Sequence, residues 1–340
     1  MRFRTFSTCA LVCACWLTAA AGVGTFAVAQ DKKQADAKVA GGEREAAEKI
    51  NKATGGEAKL QAAAEFVRKY PKSSLRPRVA EAVAAEIAGT QDGSLKISLA
   101  QTYLDFFNEP AEAEHVNGLL LTAMIDADRT ADAFKLAPSW LEKHPDDVDT
   151  LRRLAIIGSN ASIKGDNSFV EQAQQYGVKA AELIETDKKP AHVEAAKWTD
   201  YKAKYLPGLY REMGILALRA GDKTTGRTRL EKAVALNTGD PSVYAIVGQM
   251  ADEDYTASAN EYKTASGPAK DAALKKAHGQ LDNVIDLYAH AVALSEGRPE
   301  YEQLRTQLMP ALEEYYKFRH KNSTDGLRQL IDKYKKPATP

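Results

Sequence analysis

Apolar residues recur along this chain every three or four positions, in stretches that each end with a large apolar side chain, a few polar residues and a proline. That period belongs to an α-helix with one buried face. The endings read EFVRKYP at Pro71, YLDFFNEP at Pro110, SWLEKHP at Pro145, ELIETDKKP at Pro190, AVALNTGDP at Pro241, AVALSEGRP at Pro299 and LIDKYKKP at Pro337. Proline has no N–H and a fixed φ, so it suits the first turn of a helix and opposes continuation of the helix before it. Seven such boundaries predict an all-α fold of about seven antiparallel helical hairpins.

One spacing sharpens that expectation. Tyr210 with Gly214 and Tyr244 with Gly248 are two copies of one pattern, 34 residues apart. The clearest unit runs from Pro207 to Asp240. Tyr210, Met213, Gly214, Ala217 and Leu218 share a first helix, Gly221 and Asp222 make a turn, and Leu230, Ala233 and Leu236 line a second helix. The arrangement resembles the tetratricopeptide repeat (TPR). On that resemblance Tyr210 takes the aromatic position and Met213-Gly214 the Leu-Gly pair, while Gly226, Leu230 and Ala233 take the small, bulky and alanine positions of the second helix. The next unit begins with Tyr244, Val247 and Gly248, departs over residues 255–278, and resumes to reach Ala291. A 24-residue insertion explains why the Ala-Val-Ala-Leu ending at 233 recurs only at 291. Upstream units match more loosely, and the run from Phe66 to Ser73 resembles repeats of bacterial envelope proteins. The resemblance implies a solenoid with a right-handed superhelical path over residues 45–336, with 207–250 as its best repeats.

Both ends read differently. Arg2 and Arg4, an apolar stretch from Cys9 to Ala20, and Ala27-Val28-Ala29 before Gln30 form the pattern of a secretory signal peptide over residues 1–29. Export to the periplasm or the outside follows as an expectation, with a lipid anchor near Cys13 or Cys15 as the alternative. All three cysteines fall in that segment. Removing it leaves no thiol for disulfides, catalysis or metal ligation. Residues 30–44 are polar with a Gly-Gly pair and predict a flexible leader, with order starting near Glu45; residues 337–340 predict a short tail. No transmembrane segment is expected once the signal is gone.

Without Arg2 and Arg4 the chain carries 44 basic against 46 acidic side chains. A near-neutral chain with no basic stripe is a poor fit to nucleic acid. The six histidines lack ligand spacing, and no metal is expected. Asp126, Asp128, Thr130 and Asp132 alternate as calcium donors do, but Ala131 and Ala137 stand where glycine and a bidentate carboxylate are required. A polar turn, with Thr130 or Asp132 capping the next helix, is the reading that remains. Neighbouring acids such as Asp146 with Asp147 point to different helix faces, and no nucleophile elbow, phosphate loop or dinucleotide fingerprint occurs. No catalytic residue and no cofactor is expected.

The resemblance implies a groove lined by the first helices of successive repeats, into which Arg152, Asn160, Arg211, Arg219 and Gln249 would face to clamp an acidic peptide terminus. The plainer alternative is that the arginines pair with neighbours such as Glu212 or Glu231. On the groove reading, replacing Arg211 and Arg219 by alanine weakens a partner and spares thermal stability. Trp198, Tyr201 and Tyr205, on one helix face, and the tyrosines 301, 315 and 316 with Phe318 form either inter-helix packing or a stacking platform. The function expected is a non-catalytic scaffold for protein or peptide partners of the cell envelope. A solute- or glycan-binding helical protein and an envelope enzyme with an unrecognised site are the alternatives.

Overall fold

The computed structural model describes residues 41–335. The signal segment, residues 30–40 of the leader, the boundary at Pro337 and the tail lie outside the described residues.

Fourteen α-helices and no strand occur among the described residues: α1 Gly41–Lys52, α2 Gly56–Lys69, α3 Arg76–Gly89, α4 Gly93–Phe106, α5 Pro110–Asp126, α6 Thr130–Lys143, α7 Val148–Ile163, α8 Val170–Glu185, α9 Trp198–Arg219, α10 Lys223–Ala235, α11 Pro241–Thr264, α12 Pro268–Ser295, α13 Glu302–Arg319 and α14 Leu327–Lys333. Short 3₁₀ turns precede α9 and α13. The all-α expectation therefore stands. No helix among the described residues is long and apolar enough to cross a membrane. The chain divides into two compact units between Leu120 and Leu121, within α5.

In the first unit α1 packs on α2, α2 on α3 and α4, and α3 on α4. Ile50, Leu60, Phe66, Val83, Ile87, Ile97, Tyr103 and Phe107 fill its core. A polar clasp closes it. Arg76 holds Glu112 through two donors at 2.6 and 2.9 Å and also donates to the Phe106 carbonyl, so the starts of α3 and α5 and the end of α4 are tied together. The Tyr103 hydroxyl donates to the Glu112 carbonyl, and burial raises its pKa.

The second unit contains the antiparallel pairs α7–α8, α9–α10 and α11–α12, with α9 also packed on α7 and α8, and α12 on α13 and α14. Small residues set the spacing. Gly158 meets Ala173 across α7–α8, and Gly177 of α8 faces Met213 of α9. Within α9–α10, Gly214 lies under Leu230 and Gly226 under Leu218, and a Cβ on either glycine would stand 3.2 Å from the other's carbonyl oxygen. Gly248 of α11 sits beneath the Tyr288 ring of α12 in the same way. Helix starts are fixed by Asp92, Asp147, Asp222 and Asp240, whose carboxylates accept from backbone N–H groups of the first turn. Gly221, at φ +84°, makes the turn between α9 and α10.

Four local expectations need correction. Helix begins at Gly41 instead of Glu45, with Gly42 against the Tyr70 hydroxyl. Pro207 is interior to α9, so the helix of the best repeat begins nine residues earlier at Trp198. Residues 255–278 do not interrupt the second helix of the unit: they extend α11 and α12 of one hairpin, broken only at 265–267. Their seam is again made of small residues, with Ser258, Ala273 and Ala277 buried. Thr130 and Asp132 do not cap α6; its N-cap position is Arg129, which pairs with Asp132 at 2.6 Å.

The glycine seam yields a paired prediction. Gly226→Ala places a Cβ 2.6 Å from Leu218 Cδ2. The overpacking costs about 1–3 kcal/mol and outweighs the roughly 1 kcal/mol that alanine gains in helix propensity. The thermal midpoint should fall by several degrees. Gly279→Ala, on an open face of α12 with nothing within 4 Å, should raise it. Equal shifts in the two variants would mean that α9 and α10 are not in close contact.

Candidate functional site

The polar side chains of the second unit gather on α7 and α9 and at the starts of α11 and α13. Helical spacing puts Asp149, Arg152 and Ser159 on one side of α7, and Tyr201, Tyr205 and Glu212 on the facing side of α9. Two clusters result.

In the first, Tyr201 donates to Asp149 at 2.6 Å, and His192 lies 3.4 Å from the other Asp149 oxygen. The Arg152 guanidinium stacks 4.1 Å above the Tyr205 ring and lies 3.7 Å from Asp149. Burial is the main cause of the raised Tyr201 pKa, with the bonded Asp149 carboxylate adding to it. Trp198 stacks on Tyr201 and donates its indole N–H to Asp187 at 2.8 Å.

In the second cluster, Glu212 and Arg211, adjacent on α9, are bonded to each other, and Arg211 also lies 2.7 Å from Asp240, the N-cap of α11. The Glu212 side chain is only 8% exposed. Its second oxygen, Oε2, makes no hydrogen bond of good geometry; the fully buried Ser159 hydroxyl faces it from α7 as a close, poorly aligned donor. Arg211 Nε has close charge contact with Asp240 but no hydrogen bond of good geometry. Tyr301, just before α13, reaches the other Asp240 oxygen at 3.4 Å, and Arg298 covers its ring. Ser159, Glu212, Arg211, Asp240 and Tyr301 thus form one polar chain from α7 to the start of α13.

Of the five residues expected in a partner groove, Arg152 and Arg211 are brought to these clusters and Arg219, Gln249 and Asn160 are not. Arg219 is exposed in the last turn of α9, Gln249 is exposed on α11, and Asn160 is half-buried near the end of α7. Arg152 and Arg211 are engaged by a tyrosine ring and by carboxylates, as the plainer pairing alternative holds for Arg211 with Glu212. Glu231 instead pairs with Arg227. The positions that the resemblance singles out are mostly buried. Met213, Leu230, Ala233, Tyr244, Val247 and Ala291 are buried, and Tyr210 is half-buried with its hydroxyl on Glu185 at 2.8 Å and its pKa raised to about 12, chiefly by burial.

Most of the aromatic rows serve packing. Tyr201 and Tyr316 are buried, and Tyr315 donates to Asp252 at 2.8 Å; Phe318 alone of those named is fully open, at 66% exposure. The acids of the aborted calcium pattern each meet a cation: Asp126 meets Arg153, Asp128 meets Lys164 and Asp132 meets Arg129. Among the described residues no three His, Cys, Asp or Glu side chains converge in a metal-binding group. Sequence reasoning missed Asp240 and Ser159 as members of the polar chain. The Asp-Pro step at a helix start marks Asp240 as a cap, but nothing local marks its bond to Arg211.

The expectation that alanine at Arg211 spares stability fails on this geometry. Arg211→Ala strands a buried carboxylate, and breaking such a pair costs about 3 kcal/mol, here at the low end because Arg211 keeps 24% exposure. Arg219→Ala removes an exposed side chain and should change stability by less than about 0.5 kcal/mol. Thermal unfolding of the two single variants checks this, and equal midpoints would refute the buried pairing. No protein-family model matches the chain, and no curated protein matches it.

Proposed function

We propose that this chain is an exported, non-catalytic scaffold whose hairpins stack within each unit as TPR-like repeats and present a surface to protein or peptide partners of the cell envelope. The observation that carries the reading is the repeated joint in the second unit. The two helices of each antiparallel pair meet at a glycine, Gly158 with Ala173, Gly214 with Gly226 and Gly248 with Tyr288, and the pair α7–α8 meets the next at Gly177 with Met213. Each pair uses its neighbours to cover its apolar face, which is how repeat arrays extend without one central core. Such arrays expose long rows of side chains at fixed spacing.

The ionisable groups nearest the α7–α9 face are paired with one another, so recognition on this reading falls to exposed neighbours such as Arg219 and Gln249. Export rests on the signal-like pattern of residues 1–29 and the absence of cysteine after it. The proposal is tested by expressing the tagged full-length chain in its source cells, fractionating them, and identifying what it retains by reciprocal pull-down. Expected is recovery from the envelope fraction with a partner that is lost several-fold on Arg219→Glu with Gln249→Glu, the thermal midpoint being unchanged. Recovery from the cytosol alone, or a partner indifferent to both charge changes, overturns it.

A further inference from the structure

Glu212 is an unusual carboxylate. It lies on the α7-facing side of α9 with 8% of its side chain exposed, and one of its oxygens has no hydrogen bond of good geometry. The only cation on it is Arg211, which Asp240 shares at 2.7 Å. Two carboxylates therefore compete for one guanidinium, and the more deeply buried of them has on its other side only the poorly aligned hydroxyl of Ser159. A charge held so poorly out of water is relieved most directly by taking up a proton.

We infer that Glu212 is a proton-binding site whose occupancy governs the junction of α7, α9 and the start of α11. Protonation turns an acceptor-only carboxylate into a donor that Ser159 Oγ accepts, and it leaves Arg211 to Asp240 alone. The surroundings contribute few other charges. Arg211 comes from its own helix, Asp240 from the start of α11 and Tyr301, beyond Asp240, from the turn before α13. Helix α8 brings Glu185, and helix α10 brings Arg229 and Lys232, to Tyr210 of α9; at Met213 and Gly214, next to Glu212, the same helices meet α9 through the uncharged Gly177 and Leu230. Burial raises the Glu212 pKa, Arg211 and the Ser159 hydroxyl oppose the rise, and Asp240 adds to it.

The sign of the linkage follows. A carboxyl raised in the folded state binds its proton more tightly there than in the unfolded chain. Its favourable contribution is complete below the unfolded value and is lost as pH rises through the folded one. Acidification from neutrality toward the ordinary carboxylate range thus strengthens this junction, against the usual trend for paired acids.

The test uses the full-length chain labelled with ¹³C at glutamate carboxyls and titrated by NMR from pH 8 to pH 4. The resonance missing from Glu212→Gln should inflect above the other glutamates, and in Asp240→Asn it should move down toward them. Should the glutamine variant fail to fold, the resonance that moves in Asp240→Asn identifies the site. In parallel, the folding constant of the wild type relative to Glu212→Gln should rise as pH falls, tenfold for each unit by which the carboxyl is raised. An inflection at or below the other glutamates, or a ratio constant with pH, overturns the inference.

Discussion

The close approach of α9 and α10 is the constraint on which the second unit depends. Gly214 and Gly226 have no Cβ, so each backbone sits against the other and against the leucine above it, and the two helices are brought together over their central turns. Leu230 and Ala233 are consequently sealed, each fully buried, and the turn at Gly221 spans only the three residues 220–222. The neighbouring joints repeat the device with different pairs: Gly158 with Ala173, Gly177 with Met213, and Gly248 with Tyr288. In each joint a glycine on one helix receives a side chain from the next. Packing at this density tolerates no extra methyl at the contact, which is why the position and not merely the composition of these glycines matters.

Much of this was legible in the sequence, for a definite reason. The 3.6 period of apolar residues and the prolines report local events, and local events survive without knowledge of the fold. The Tyr210 and Tyr244 pairs carried more, because a glycine four residues after an aromatic on a helix face implies something large packed against that glycine. What escaped was set by contacts distant in sequence. Residues 255–278 read as an insertion within one hairpin. Ala273, Ala277, Leu281 and Val284 nevertheless fall at i, i+4, i+8 and i+11, and all four are buried against α11. Alanine is the best helix former, and a small-residue seam lets the partner helix come close enough to cover it. The period was overlooked. The same oversight applies to Gly41-Gly42, a pair that resembles a flexible leader until Tyr70 is known to lie against it.

The candidate site shows a different limit. Arginine on a helix facing a presumed groove invites a ligand reading, yet Arg152 and Arg211 are each taken up by side chains that no local rule pairs with them. Tyr205 lies more than fifty positions from Arg152, and Asp240 is an N-cap reached across the α10 hairpin. The local partners are legible from spacing alone: Asp149 three positions before Arg152, and Glu212 next to Arg211. Adjacent helical residues point about 100° apart, so Arg211 can sit at the boundary with solvent while Glu212 enters the interface with α7. That difference of one position is what separates an ordinary surface ion pair from a buried one.

A buried carboxylate sharing a single arginine is a poor way to gain stability, since apolar residues of similar volume commonly do as well or better. Its physical effect is directional instead. Apolar seams such as Gly214 against Leu230 set how closely the helices approach, through dispersion contacts that are individually weak and nondirectional. The polar chain adds directional contacts: Glu212, Arg211, Asp240 and Tyr301 link α9 to the starts of α11 and α13. Because the second of these depends on the charge of Glu212 and the first does not, proton binding would alter the directional contacts while leaving the interhelix distance to the glycines.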